Sequence, residues 1–129
     1  MAVRVGPELL LVRSSYRTEW NFPGGGVRTG ETPLRAAGRE MEEEIGFAAG
    51  LAEPADVLTG IWDGRPDRVH VYEVRLDDLP RLRLDNREIV EARLFATREL
   101  DGVAVTGPVA AYLARGGRAG RSRLQEREA

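Results

Sequence analysis

The feature that most constrains the fold is a run of four carboxylates within residues 39–44. Flanking residues predict a helix of about 14 residues around this run, because Thr32 and Pro33 suit its start and Gly46 suits its end. On that helix, carboxylates three and four residues apart repel one another, and those near the C-terminus also oppose the macrodipole. A fold that keeps such a cluster usually holds a cation beside it, and oxygen ligands favour a hard divalent ion such as Mg²⁺.

The predicted helix has an apolar side and an acidic side. On a wheel of 100° per residue, its apolar residues form one stripe, which we expect to face the core. They are Leu34, Ala37, Met41 and Ile45. Glu40, Glu43 and Glu44 lie within about 100° of one another on another side. Gly38 lies close to the apolar stripe, so we expect it to allow close packing there.

Short β-type runs surround this helix. The predicted strands are residues 2–5, 8–13, 55–62, 69–76 and 89–95, and residues 108–114 form a predicted second helix. Strands around one long helix, with another helix at the end, predict an α/β fold in which helices cover a mixed sheet. Because the first run is short, we expect a sheet that lacks part of an edge or completes itself by forming a homodimer.

Length, charge and composition limit the classes of function. The 129 residues suffice for one domain, which we place at residues 1–115, followed by an Arg/Gly-rich tail at 116–129 that is disordered or a short docked helix. A net charge of -2 argues against a long nucleic acid as partner. The lack of cysteine excludes disulfides and suits a cytoplasmic location. No apolar run approaches the roughly 20 residues of a membrane span, so we expect no membrane partner.

The spacing of the distinctive residues adds a second constraint. Gly25 is followed six residues later by Glu31, and the run REMEEEIGF occupies residues 39–47. This pattern over residues 25–47 resembles the Nudix box, the signature of the Nudix hydrolase superfamily. Its seven identities at fixed offsets would arise by chance in about one sequence in a million or fewer. Residues 21–26 and 88–95 also resemble family members, so the resemblance covers most of the chain.

The resemblance implies a fold and an activity. The fold is a Nudix-like α/β/α sandwich with a mixed sheet. The activity is metal-dependent hydrolysis of the phosphoanhydride bond of a nucleoside diphosphate linked to another group, by attack of metal-activated water at phosphorus. The substrate is left open among nucleotide sugars, dinucleotides and modified nucleoside triphosphates. The alternative is a Nudix domain that senses nucleotides or serves as a scaffold without turnover, although such domains commonly lose box carboxylates that are all present here.

The resemblance also assigns roles to residues of the box. Glu40 and Glu44 match the principal ligands of Mg²⁺ or Mn²⁺, and Glu43 matches either a third ligand or the base that orients the attacking water. The carbonyl group of Gly25 is a further candidate ligand. Arg39 matches the arginine that orients a catalytic glutamate. An ordinary ion pair on the helix surface is the alternative for this arginine.

Residues outside the acidic run complete the candidate site. Glu31 is expected to complement the helix N-terminus or to anchor its loop to Arg39. Many family members supply one more carboxylate from outside the box, and Glu88 and Glu91 are the candidates here. Either is equally well explained as a solvent-exposed glutamate at a strand end.

Two aromatic residues and one arginine are candidates for binding the substrate. Trp20 and Trp62 border loops and could stack on a nucleotide base, although aromatic residues beside strands more often fill a core. Arg28 lies within the box, where a guanidinium suits phosphate. His70, on a predicted strand, is expected to be a packed or surface residue and is assigned no catalytic role.

Overall fold

The structure is a computed structural model that describes residues 1–48, 50 and 52–117. Its strands are β1 (Ala2–Val5), β2 (Glu8–Ser14), β3 (Glu53–Trp62), β4 (Arg65–Leu76) and β5 (Ile89–Ala96). Its helices are α1 (Pro33–Ile45), a 3-10 helix (Thr97–Gly102) and α2 (Gly107–Tyr112), which continues into a π-helical segment (Leu113–Gly117). All predicted elements are therefore present. The predicted tail lies outside the described residues from position 118 onward.

The five strands form one mixed sheet in the order β3-β4-β1-β2-β5. Strand β1 pairs antiparallel with β2 and parallel with β4. The short first run is therefore the central strand of the sheet, and the expectation that it leaves an edge incomplete is wrong. Its side chains explain this placement, since Ala2 and Val3 are fully buried.

Strand β2 shows how the sheet is covered on both faces. Leu9 and Leu11 belong to the hydrophobic cluster beneath α2, whereas Leu10 and Val12 belong to the cluster beneath α1. All four side chains are almost completely buried, so residues 9–12 of the strand form a continuous apolar run with neither face open to solvent. The helices thus lie on opposite faces, which confirms the predicted α/β/α sandwich.

Strand β4 begins four residues earlier than the sequence predicted. A two-residue turn joins it to β3, with Asp63 and Gly64 both at positive φ (55° and 74°). This backbone twist matches that of the flanking strands, so Trp62 and Arg65 pair at once. The polar residues after the turn suggested a loop, but they lie on an exposed part of the hairpin.

Helix α1 has the predicted ends. The Thr32 Oγ1 accepts a hydrogen bond from the Arg35 N–H at 3.2 Å. At the other end, Gly46 has φ 66°, in the left-handed region, and its N–H donates to the Glu42 carbonyl at 3.1 Å. These contacts satisfy backbone groups that have no partner within the helix.

The buried side of α1 differs from the predicted stripe. Met41 and Ile45 are buried as expected, but Leu34 is 43% exposed and Ala36 is buried instead. A methyl group at Gly38 would meet no atom within 4 Å, so the expectation that this glycine allows close packing is also wrong. The helix contacts β4 and β5, and the wheel gives the direction of a side chain but not how far the sheet extends along the helix. In the part of the chain that the structure describes, no helix is both long and apolar enough to cross a membrane.

Candidate active site

Arg39 joins the glycine-rich loop to helix α1. Its Nε and Nη2 donate to the two carboxylate oxygens of Glu31 at 2.8 and 3.0 Å, a bidentate arrangement. Its Nη1 donates to Glu40 at 2.8 Å and to Glu43 at 3.3 Å, and its Nη2 also donates to the Gly26 carbonyl at 3.0 Å. The predicted anchoring of Glu31 is therefore present. These hydrogen bonds from Arg39 lower the pKa of Glu31 to about 2.

Glu44 is in a different environment from its neighbours. Its side chain is buried, with one carboxylate oxygen accepting a hydrogen bond from the Gly24 N–H at 2.7 Å. Burial, and to a smaller extent the charges of Glu40, Asp85 and Glu88, raise the pKa of Glu44 to about 8 against the opposing effect of the Gly24 N–H. The charged form of Glu44 is thus unfavourable in the metal-free protein.

The N-terminal amino group lies beside this buried carboxylate. The amino group of Met1 donates a hydrogen bond to the Pro23 carbonyl at 2.9 Å. Burial lowers the pKa of this amino group to about 5, although the charge of Glu44 raises it. Nothing in the sequence pattern predicted this proximity.

Gly25 brings the loop backbone into contact with the acidic side of the helix. A methyl group at Gly25 would lie only 2.6 Å from the carboxyl carbon of Glu40 and from its Oε1. Any side chain at this position would therefore displace the Glu40 carboxylate. Because the atoms that must move are the flexible end of Glu40, the close approach bears on the position of this carboxylate rather than on the fold.

The two candidate carboxylates from outside the box have different environments. Glu91 faces Arg13 across the β2–β5 pair, and its Oε1 accepts from Nη2 and Nε of that arginine at 2.6 and 2.8 Å. Glu88 is exposed and makes no hydrogen bond or ion pair with any side chain among the described residues, and its charge reaches Glu44. Glu88 is therefore the one of the two whose carboxylate no described side chain engages, and its role as the outside carboxylate stays a prediction. Asp85, whose charge also reaches Glu44, was not among the predicted residues.

Of the predicted substrate-binding residues, Arg28 lies beside the acidic side of α1, and Trp20 and Trp62 lie against the hydrophobic core. The Arg28 side chain is largely exposed, with its Nη2 3.9 Å from Glu43. Trp20 meets the Phe95 ring edge-on with centroids 4.8 Å apart, and a methyl group at Gly107 would overlap the Trp62 ring. Both tryptophans are half-buried against the cluster beneath α2, so their stacking on a base stays a prediction.

His70, the only histidine, lies exposed on β4 opposite Val57, as expected for a surface residue.

The candidate ligands are of the kind that a hard divalent cation prefers, although the side chains that carry them do not converge on one point among the described residues. Within residues 1–48, 50 and 52–117, no three acidic or histidine side chains converge on a common point. Arg39 holds Glu40 and Glu43 on one side, while the Gly24 N–H holds Glu44 on the other. The available ligands are all oxygens, and a bound cation would favour the charged form of the buried Glu44 carboxylate. Both properties fit Mg²⁺ or Mn²⁺.

Comparison with known proteins identifies the family of the chain. The family model of the NUDIX domain matches residues 1–113. The chain therefore belongs to the NUDIX domain family. The predicted family and fold are confirmed, and the relatives are named as hydrolases, in agreement with the predicted enzyme class.

Relatives with known structures cover nearly the whole chain. A MutT NUDIX hydrolase from Burkholderia pseudomallei is 25% identical, with a TM-score of 0.72, over 88% of this chain and 91% of that one. The MutT protein from Methanosarcina mazei Go1 is 21% identical, with a TM-score of 0.75, over 95% of this chain and 90% of that one. The RNA pyrophosphohydrolase of Francisella tularensis is 70% identical over 31 residues, which are 24% of this chain and 20% of that protein. The chain thus spans only a fifth of the length of that relative.

Proposed function

We propose that the protein hydrolyses the phosphoanhydride bond of a nucleoside diphosphate linked to another group, with Mg²⁺ or Mn²⁺ as cofactor. The observation that carries this proposal is the buried carboxylate of Glu44. It lies near Glu40, whose carboxylate approaches the Gly25 backbone so closely that a side chain at position 25 would displace it. A carboxylate in such a place is stabilised in its charged form by a bound cation. The family supports hydrolysis as the reaction.

Four groups of this chain would hold the cation. They are the carboxylates of Glu40, Glu43 and Glu44 and the carbonyl oxygen of Gly25. A divalent ion held there would neutralise phosphate charge and would make water a stronger nucleophile at neutral pH. Arg39 keeps Glu40 and Glu43 close to the loop, so that fewer side chains must be ordered when the ion binds.

The remaining polar groups act on the substrate and on the attacking water. Arg28 has an exposed guanidinium beside Glu43 and binds a phosphate group of the substrate. Glu88 accepts a proton from the attacking water, since its carboxylate is exposed and not engaged by any other described side chain. The water oxygen forms a bond to phosphorus as the bridging P–O bond breaks, and the leaving phosphate departs with the electron pair.

The group attached to the diphosphate is the least constrained part of the proposal. Nucleotide sugars, dinucleotides and modified nucleoside triphosphates all contain the required bond. The short but strong match to an RNA pyrophosphohydrolase adds the 5′-phosphates of RNA as a further class. A net charge of -2 favours a small ligand over a long polymer.

A substrate panel tests the proposal. It consists of ADP-ribose, UDP-glucose, diadenosine tetraphosphate, 8-oxo-dGTP and a 5′-triphosphorylated oligoribonucleotide, each incubated with and without Mg²⁺ and analysed by product identity. We expect cleavage of at least one compound, only when the metal is present. Failure to cleave any of them, together with metal-independent binding of one, would instead support a sensor without turnover.

A further inference from the structure

The segment before β5 is attached to the end of helix α1. The Arg83 N–H donates to the Ile45 carbonyl at 2.8 Å, and the Asp85 N–H donates to the Glu44 carbonyl at 3.0 Å. Both carbonyls belong to the last turn of the helix, where they have no partner within the helix itself. The segment is thereby fixed to the same turn that carries the buried carboxylate.

Asp85 closes the turn that follows. Its Oδ1 accepts hydrogen bonds from the N–H groups of Arg87 at 3.0 Å and Ile89 at 2.9 Å. Asn86 adopts a left-handed conformation with φ 59°, and its N–H donates to the Ile89 carbonyl at 3.2 Å. A single aspartate oxygen thus accepts hydrogen bonds from the residues on either side of Glu88 and closes the turn around it.

Ser15, the residue after strand β2, holds the opposite side of the same turn. The Ser15 N–H donates to the Glu88 carbonyl at 2.8 Å, and the Ser15 hydroxyl donates to the Arg87 carbonyl at 3.0 Å. The backbone of Glu88 is therefore restrained from two directions, whereas its side chain stays exposed. The charges of Glu88 and Asp85 both reach Glu44, so the turn lies beside the acidic side of the helix.

We propose that Asp85 is a positioning residue that fixes the turn at residues 85–89 so that Glu88 faces the carboxylates of α1. This inference rests on the proposed function, in which Glu88 accepts the proton of the attacking water. The contacts of Asp85 specify how it acts, because its Oδ1 is occupied by two backbone N–H groups. The geometry of Asp85 as an acceptor should therefore matter more than its charge, whose effect on the pKa of Glu44 is smaller than that of burial.

Three substitutions separate geometry from charge. Asp85→Asn keeps an oxygen that accepts the same two hydrogen bonds but removes the charge. Asp85→Glu keeps the charge but moves the oxygen by one methylene, and Asp85→Ala removes the acceptor. Asp67→Ala is the matched control, since the Asp67 Oδ1 accepts from the Arg68 N–H at 2.7 Å on the exposed β3–β4 hairpin.

Steady-state kinetics on the best panel substrate give the first readout. We expect Glu88→Gln to lower kcat by about 100-fold. We expect Asp85→Ala and Asp85→Glu each to lower kcat by at least about 10-fold with little change in KM. Asp85→Asn and Asp67→Ala should stay within about threefold of wild type. The double variant Asp85→Ala with Glu88→Gln should match Glu88→Gln alone, because both act through the same carboxylate.

Amide hydrogen exchange in the metal-free protein gives a second readout that needs no substrate. The amides of Arg87 and Ile89 should exchange at least about 10-fold faster in Asp85→Ala and keep wild-type protection in Asp85→Asn. Should Asp85→Ala not fold, the comparison of Asp85→Glu with Asp85→Asn makes the same test.

Any of three results would overturn the inference. The first is wild-type kcat in both Asp85→Ala and Asp85→Glu, and the second is a loss of kcat in Asp85→Asn while both amides stay protected. The third is a double variant whose loss of kcat equals the product of the losses in the two single variants. Failure of the proposed function is seen separately, as a wild-type protein that cleaves no panel compound. In that event, unchanged exchange in Asp85→Ala would still refute the turn closure.

Discussion

Two sets of carboxylates meet at helix α1, and they differ in how their charge is compensated. The arginine-bound set surrounds the guanidinium of Arg39 and consists of Glu31, Glu40 and Glu43. The loop-facing set lies where the segment before β5 meets the end of the helix and consists of Glu44, Asp85 and Glu88. Within the described part of the chain, no arginine forms an ion pair with the loop-facing set.

The difference appears in the titration of one residue from each set. Hydrogen bonds from Arg39 lower the pKa of Glu31 to about 2, whereas burial raises the pKa of Glu44 to about 8. The same residue type is thus held charged in one environment and neutral in the other. The arginine-bound set is organised without a cation, and the loop-facing set gains the most from binding one.

Removing the buried carboxylate should have the largest effect. Glu44→Gln keeps the shape and the acceptor for the Gly24 N–H but removes the charge that a cation would use, so we expect kcat to fall by about 10³-fold. Thermal unfolding should show a folded protein. Glu42→Gln, an exposed position on the same helix, is the control and should keep wild-type turnover. Equal kcat in the two variants would contradict the account.

Disturbing the arginine-bound set should have the next largest effect. Arg39→Lys keeps the positive charge but cannot make the bidentate contact with Glu31 while also reaching Glu40 and Glu43, so we expect kcat to fall by about 100-fold. Arg35→Lys, one turn earlier and exposed, should leave kcat unchanged. Wild-type turnover in Arg39→Lys would show that the bidentate contact of the Arg39 guanidinium is not what holds these carboxylates in place.

The close approach at Gly25 should have a smaller effect, confined to activity. In Gly25→Ala the new methyl group must push the Glu40 carboxylate aside, and we expect about a 10-fold loss of kcat with little change in thermal stability. Gly38→Ala is the control, because a methyl group there meets nothing within 4 Å. It should stabilise the helix by about 0.5–1 kcal/mol at unchanged kcat. Full activity in Gly25→Ala would show that the position of Glu40 does not matter.

The subtlest effect concerns stability and pH in metal-free buffer. Because the pKa of Glu44 is higher in the folded protein than in the unfolded chain, the folded protein retains a proton that the unfolded chain releases. Stability contributed at this site is therefore lost as pH rises towards about 8. Relative to Glu44→Gln, wild type should lose on the order of 3 kcal/mol of unfolding free energy between pH 5 and pH 8, measured by urea denaturation. Parallel pH profiles for the two proteins would disprove the shifted titration.

Local chemistry explains which parts of the fold were predictable from sequence. Both ends of α1 were predicted, because the capping of Thr32 and the left-handed conformation of Gly46 depend on residues close in the chain. The exposure of Leu34 was not, since it depends on where the sheet ends beneath the helix. The central position of β1 was missed for a similar reason, because a short run identifies a strand but not its neighbours.

The same distinction applies to the candidate site. The acidic run and its spacing from Gly25 identified α1 and its loop as the candidate site. Sequence alone weighed Glu88 and Glu91 equally, because the register that pairs Glu91 with Arg13 arises from strands far apart in the chain. Asp85 was overlooked, because its role depends on hydrogen bonds from two backbone N–H groups within a turn. The available signal in the sequence was an aspartate followed by Asn86 shortly before a predicted strand, a pair typical of turns.

Binding of Mn²⁺ in the absence of substrate tests the central claim most directly. Free Mn²⁺ would be measured by electron paramagnetic resonance during titration of wild type, Glu44→Gln and Glu42→Gln at pH 7.5. We expect wild type and Glu42→Gln to bind with the same affinity and Glu44→Gln to bind at least about 10-fold more weakly. Binding by Glu44→Gln with wild-type affinity would contradict the claim that the buried carboxylate of the loop-facing set holds the cation.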